Sequence, residues 1–227
     1  MGYYVNLKKI SLDEYKNILK SMEFIPSWKI LEENIDDNLE AIKNQNFNNL
    51  DELLTALKKK DNIKMLSDKC GLPEKYFEVL KRVLNGYRQK PNKLKDFPCV
   101  SEDTIEKLEK IGLKDTFKLY DKILTAEKRN SLSEKTGITK NDILLLTKLT
   151  DLSRIRWVNH TFAYVLMECG YDSLEKVAGA DYKTLYLMVK ELNEKRQIYN
   201  AHIGERDMKM VIDSARDLDI EIEYEIF

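Results

Sequence analysis

The sequence predicts an all-α protein built from tandem helical units, and three observations carry that expectation. Apolar residues recur at helical spacing, as at Ile105, Leu108 and Ile111 or at Leu39 and Ile42. Only 8 Gly and 4 Pro punctuate 227 residues, too few for a turn-rich β architecture. The chain also matches itself. Lys64-Met65-Leu66-Ser67-Asp68-Lys69-Cys70-Gly71-Leu72 returns 66 residues later as Asn130-Ser131-Leu132-Ser133-Glu134-Lys135-Thr136-Gly137-Ile138.

Residues 1–33 read as leading helices, opened by a Ser11…Glu14 capping box and broken at Pro26. Residues 34–85 form the first unit and 100–157 the second. The same offset, without gaps, brings Leu39 onto Ile105, Ile42 onto Leu108, Phe47 onto Leu113, Leu53 onto Leu119 and Leu80 onto Leu146. A third unit, 158–219, is set 58 residues beyond the second: Val100-Ser101 aligns with Val158-Asn159, and Gly112 with Gly170. Gly71, Gly112, Gly137 and Gly170 each follow an apolar helical segment, where a left-handed residue ends a helix. Thr139 with Asp142, and Asp172 with Glu175, resemble capping boxes, and Pro73 suits a first turn. The run Ile143-Leu144-Leu145-Leu146 is apolar on all sides and predicts a helix lying between neighbours. Residues 34–85, 100–151 and 158–216 are therefore expected to superpose, with Gly71 and Gly137 in one structural position.

Two stretches break the helical pattern. Residues 86–99, with Asn85-Gly86 and Lys90-Pro91-Asn92, read as a linker. Residues 220–227 alternate apolar and acidic side chains, the period of a half-buried strand with Ile220, Ile222, Tyr224 and Ile226 on one face. Tyr3-Tyr4-Val5 is the partner available for a small two-stranded pairing of the termini. Pairing between two chains is the alternative, because an isolated edge strand leaves its backbone groups unsatisfied.

Composition bounds the chemistry. Thirty-eight basic residues against 39 acidic ones leave a formal charge of −1, so attraction to nucleic acid must come from a local patch. Cys70, Cys99 and Cys169 are far apart and form neither a C-x-x-C pair nor a disulfide framework. Cys169 reads as a buried structural thiol. Only His160 and His202 are present. No H-E-x-x-H, P-loop, G-x-G-x-x-G or G-x-S-x-G occurs, so the expectation is no enzyme, no cofactor and no metal site. No apolar run spans a bilayer and no signal-like h-region opens the chain; Asn6 stands where a myristoylation motif wants Ser or Thr. A cytoplasmic protein without a membrane partner is expected.

One local patch stands out. Arg154, Arg156, Trp157 and Asn159 lie beside His160 in the third hairpin, and Arg88, Lys90, Lys93 and Lys95 lie in the linker. Arginine forks a phosphate and tryptophan stacks a base, the composition of a nucleic-acid contact. That contact requires Arg154 and Arg156 to face solvent on the side of the linker lysines. In the packing alternative Trp157 fills the interface between units two and three, the arginines pair with nearby acids, and the lysines only keep a linker solvated.

Short paired helices joined by tight turns, each followed by glycine, resemble helix-hairpin-helix units. More narrowly, the phrases Phe24-Ile25-Pro26-Ser27, Pro91-Asn92-Lys93-Leu94-Lys95-Asp96-Phe97-Pro98, Leu132-Ser133-Glu134-Lys135-Thr136-Gly137, Leu149-Thr150-Asp151-Leu152-Ser153-Arg154-Ile155 and Asn193-Glu194-Lys195 resemble the domain-of-unknown-function family 4332. The resemblance implies tandem units of this kind. The wider superfamily binds nucleic-acid backbones through a Gly-apolar-Gly hairpin, where N–H groups approach phosphate. This chain departs from that pattern with Asn34-Ile35-Asp36, Cys99-Val100-Ser101 and Trp157-Val158-Asn159. The expected function is a binding module for a DNA or RNA backbone, with a protein-interaction scaffold as the alternative.

Overall fold

Residues 2–224 are described here in a computed structural model of the chain, and they form thirteen α-helices and four short 3-10 turns. They group into two compact units, 5–89 on the one hand and 2–4 with 90–224 on the other.

In the 5–89 unit, α1 (Leu12–Ser21) opens with the capping box read from the sequence. The Ser11 hydroxyl accepts from the Glu14 N–H at 3.2 Å and the Glu14 carboxylate accepts from the Ser11 N–H at 2.7 Å. Pro26 starts a 3-10 turn, Pro26–Leu31, rather than a second full helix. Then follow α2 (Ile35–Lys43), α3 (Leu50–Ala56), α4 (Lys60–Cys70) and α5 (Glu74–Asn85). Phe77, Leu80, Val83 and Leu84 of α5 are wholly buried, because this helix packs against α3, α4 and the Pro26–Leu31 turn. The leading helix α1 packs on α2 within the 5–89 unit, whereas residues 2–4 group with 90–224.

The 90–224 unit holds α6 (Glu102–Lys110), α7 (Thr116–Tyr120), α8 (Ala126–Thr136), α9 (Lys140–Leu152), α10 (His160–Glu168), α11 (Leu174–Ala178), α12 (Tyr182–Arg196) and α13 (Glu205–Arg216). Helix α9 packs against α7, α8 and α10 and buries Ile143, Leu146, Leu149 and Leu152, while Leu144 and Leu145 are half-buried. Because α9 also covers α10, the segments 100–157 and 158–219 share one core instead of folding as separate domains. Helix α13 closes the far end over α11 and α12. The cap of α11 is Ser173, one residue later than the sequence pattern indicates; its hydroxyl accepts from the Lys176 N–H.

Helices α3, α4 and α5 begin 66 residues before α7, α8 and α9. Gly71 caps α4 at φ 67° and ψ 23°, and Gly137 caps α8 at φ 66° and ψ 21°. The hydroxyls of Ser67 and Ser133 each donate to a carbonyl five residues on, at 2.5 and 2.6 Å. Helices α10 and α11 begin 58 residues after α6 and α7. Asn46, Gly112 and Gly170 all have left-handed backbone at φ 63°, 83° and 84°, where glycine, and next asparagine, is least penalised. Beneath them Ile42, Leu108 and Leu166 have no exposed surface, and neither do Leu53, Leu119 and Val177. After α11 the correspondence fades, since α12 has 15 residues where α8 has 11.

One expectation is refined and one needs correction. The boundary between the two compact units falls inside the 86–99 stretch, yet the stretch itself is packed. Gly86–Arg88 is a 3-10 turn closing α5 and Leu94–Asp96 is another in the 90–224 unit, because Tyr87, Leu94 and Phe97 are buried. The described residues of the termini do not pair as strands. Among the described residues there is no strand, only one antiparallel bridge between Lys93 and Asp115. Ile222 is buried and Tyr224 half-buried, but Ile220 is 62% exposed, which breaks the one-faced pattern; Ile226 lies outside the described residues. Side chains and loop carbonyls satisfy this tail instead: the Glu223 N–H donates to the Leu124 carbonyl at 2.9 Å.

Tyr3 is buried in the 90–224 unit with its hydroxyl 2.5 Å from the Thr116 hydroxyl, and its ring meets Tyr120 edge-on. Burial pushes the phenols of Tyr3, Tyr76, Tyr120 and Tyr224 well above their ordinary range. A raised folded-state pKa stabilises the protein fully below the unfolded value of about 10, and that contribution is lost as pH rises further. Melting temperature should therefore hold from neutrality to about pH 10 and fall steeply beyond. The tyrosinate absorbance of these four phenols, out of 12 in the chain, should appear only together with unfolding. Full tyrosinate absorbance reached before any loss of helical circular dichroism would contradict the burial.

Candidate nucleic-acid interface

The third hairpin, residues 153–159, joins α9 to α10. Helix α9 ends where the Ser153 hydroxyl donates back to the Leu149 carbonyl at 2.7 Å. Buried Ile155 and Val158 pin the turn, and the Val158 N–H donates to the Ile155 carbonyl at 3.1 Å. The Asn159 side chain then caps α10 by accepting from the Phe162 N–H at 2.9 Å. Between the two pins sits Trp157, at φ 69° and 42% exposed.

Arg154 does not face solvent. Its side chain is buried, with Nη1 2.9 Å from Asp151 Oδ1, and its Nη2 donates to the carbonyls of Gly2 at 2.9 Å and Asp219 at 2.6 Å. The guanidinium also lies 4.8 Å from the centre of the Tyr120 ring. Asp151 is itself buried, and accepts further from the Leu174 N–H and the Tyr224 hydroxyl. Burial raises its carboxyl above the usual range against the pull of Arg154 and these donors. Arg154 thus fastens both ends of the chain to α9, leaving no donor fork for phosphate. Arg156 is buried too, its guanidinium 4.4 Å from the centre of the Trp157 ring and within electrostatic reach of Asp217. The expected solvent-facing arginine pair is therefore absent. The arginines follow the packing alternative, but Trp157 does not, since its indole lies at the surface.

The segment carrying the linker lysines lies against this hairpin. Asn92 Nδ2 donates to the Val158 carbonyl at 3.3 Å, and the Phe97 ring meets the His160 ring edge-on at 6.3 Å. The Leu94 N–H donates to the Lys114 carbonyl and the Thr116 N–H to the Asn92 carbonyl, at 3.0 and 2.9 Å, which fixes the segment on the start of α7. Lys90, Lys93 and Lys95 are exposed, with no ion-pair partner among the described residues. Arg88 belongs to the 5–89 unit and is ion-paired with Asp51. Of the eight candidate residues, Trp157, Asn159, Lys93 and Lys95 come from two segments that touch, and Lys90 adjoins them in sequence. Exposed Lys114, whose carbonyl accepts from the Leu94 N–H, adjoins the lysine segment, and no sequence pattern singles it out.

The three thiols are free, and burial pushes that of Cys169 up to about 11, so none is an activated nucleophile. Among the described residues no group of three or more His, Cys, Asp or Glu side chains can hold a metal, and no helix is long and apolar enough to cross a membrane.

The model of one family, described as Domain of unknown function (DUF4332), matches residues 98–218, which span α6 to α13. No curated protein and no solved structure matches the chain.

Proposed function

We propose that this chain, which belongs to the family of the domain of unknown function DUF4332, is a non-enzymatic binding module that holds a DNA or RNA strand against the third hairpin. The observation that carries this reading is Trp157. A bulky residue at φ 69° is rare outside glycine and costs on the order of 1–2 kcal/mol. The indole does not fill a core: it is 42% exposed, with the buried Arg156 guanidinium 4.4 Å from its centre. Strain kept at the surface is a mark of use. In a helix-hairpin-helix reading, Trp157-Val158-Asn159 stands where Gly-apolar-Gly would present N–H groups to phosphate. Here the left-handed backbone is kept and a stacking platform replaces the first glycine. Lys93, Lys95 and Lys114 supply the charge beside it.

The test is binding of labelled random-sequence oligonucleotides at low salt. Trp157→Gly should relieve backbone strain while removing the ring that lies on Arg156, so the melting temperature should shift little, yet it should cost about 1–3 kcal/mol of binding per stacked base. Lys93→Ala with Lys95→Ala should make the fall of log affinity with log salt shallower by about one for each phosphate no longer neutralised. Absence of binding by the intact protein would remove the proposal. The second reading, a protein-interaction scaffold, would then gain: Leu187 and Met188 of α12 are 61% and 39% exposed.

A further inference from the structure

A cleft of about 590 Å³ opens in the 90–224 unit between α8, the first turns of α9 and the start of α11, and it shares no residue with the third hairpin. Arg129 and Asn130 of α8 and Lys140 and Asn141 of α9 line it. Arg129 is only 7% exposed. Its Nη1 donates to the Ile123 carbonyl at 3.0 Å, and no carboxylate among the described residues lies within ion-pair distance. The side chain is buried while its remaining nitrogens keep contact with solvent, so a ligand in the cleft can complete the fork. The rest of the lining does not neutralise it. Lys148 and Lys176 share one carboxylate, Asp172, at 2.7 and 2.6 Å. Counting Arg129, Lys140, Lys148 and Lys176 against Asp172 and Glu175, the described residues of the walls carry two excess positive charges.

The chain contains its own control. Sixty-six residues before Arg129 stands Ile63, buried at 6% exposure at the matching position of α4, and the counterpart of Lys140 is Glu74 at the start of α5. The helical unit therefore folds with an apolar residue at the interior position and an acid on the rim. Arginine and lysine at these two places are specific to the cleft.

We infer that this cleft binds a small phosphorylated molecule, with Arg129 as the anchoring residue. A phosphate monoester or diphosphate supplies the two negative charges and the several acceptor oxygens that the guanidinium fork, Lys140 and the two amides lack. The volume lies within the range of small-ligand sites.

Pyrophosphate titrated into the intact chain by calorimetry, with sulfate as the control for simple ionic screening, should bind at one equivalent and raise the melting temperature. Arg129→Ile, which installs the residue of the first copy, should weaken binding about ten- to hundredfold. Lys140→Glu, on the exposed rim, should give a comparable loss without touching the interior, so the result does not depend on how Arg129→Ile folds. Trp157→Gly should leave pyrophosphate binding unchanged, which separates this site from the hairpin. No stoichiometric binding at millimolar pyrophosphate, equal binding of sulfate, or affinity unaltered by both variants would overturn the inference. Displacement of pyrophosphate by a short oligonucleotide lacking terminal phosphates would also overturn it, by assigning the cleft to a nucleic-acid backbone.

Discussion

Replacing Arg154 by alanine is expected to destabilise the 90–224 unit by about 3–5 kcal/mol, the cost of leaving one partner of a buried ion pair uncompensated. The charge of Asp151 would remain 2% exposed, and the carbonyls of Gly2 and Asp219 would lose their donor. Urea unfolding followed by circular dichroism measures the loss. The double variant Arg154→Ala with Asp151→Ala should lose less than the sum of the singles, because no buried charge is then left alone. Nucleic-acid affinity per folded molecule should not change, since the guanidinium is buried. A stability loss below about 1 kcal/mol, the scale of an exposed pair, would show that the arginine does not tie the chain ends to α9.

The second large effect lies at the repeated interior positions. Leu53→Ala and Leu119→Ala should each cost about 2–5 kcal/mol, through reduced burial and the cavity left behind. Both residues have no exposed surface and sit at the matching place of α3 and α7. Leu187→Ala, on the exposed face of α12, is the contrast and should fall within about 0.5 kcal/mol of the parent. Calorimetric melting of the three variants decides the matter. A neutral Leu119→Ala would mean that the interior position of α7 is not closely packed.

Much of the local structure was legible because its causes are local. Ser11 and Glu14 cap α1 through groups three residues apart, and Gly71 and Gly137 end their helices because their own φ is positive. The candidate site was legible in part. Trp157 and the linker lysines carry visible chemistry, and the segment holding Lys93 and Lys95 does rest on the hairpin through Asn92 and Phe97. The arginines misled. Asp151 stands three residues before Arg154, a spacing that brings the two together on a helix, yet the same spacing describes a solvated surface pair. Their burial follows from Tyr120, Leu174, Tyr224 and the chain's first residues, all distant in sequence.

The sequence by itself determined the helical class, the 66-residue offset between helices, the caps and the residues facing inward, since period and capping act within a few residues of one another. Only the tertiary structure decided that the second and third segments share one core around α9. It alone divided the 86–99 stretch between two units and kept residues 220–224 of the alternating tail out of a strand. The same holds for the two kinds of arginine, Arg154 held in the interior by Asp151 and two carbonyls and Arg129 left with one hydrogen bond beside a cleft. Burial is a property of what packs on a residue from elsewhere, and the desolvation that gives a buried charge its energetic weight cannot be read from its sequence neighbours.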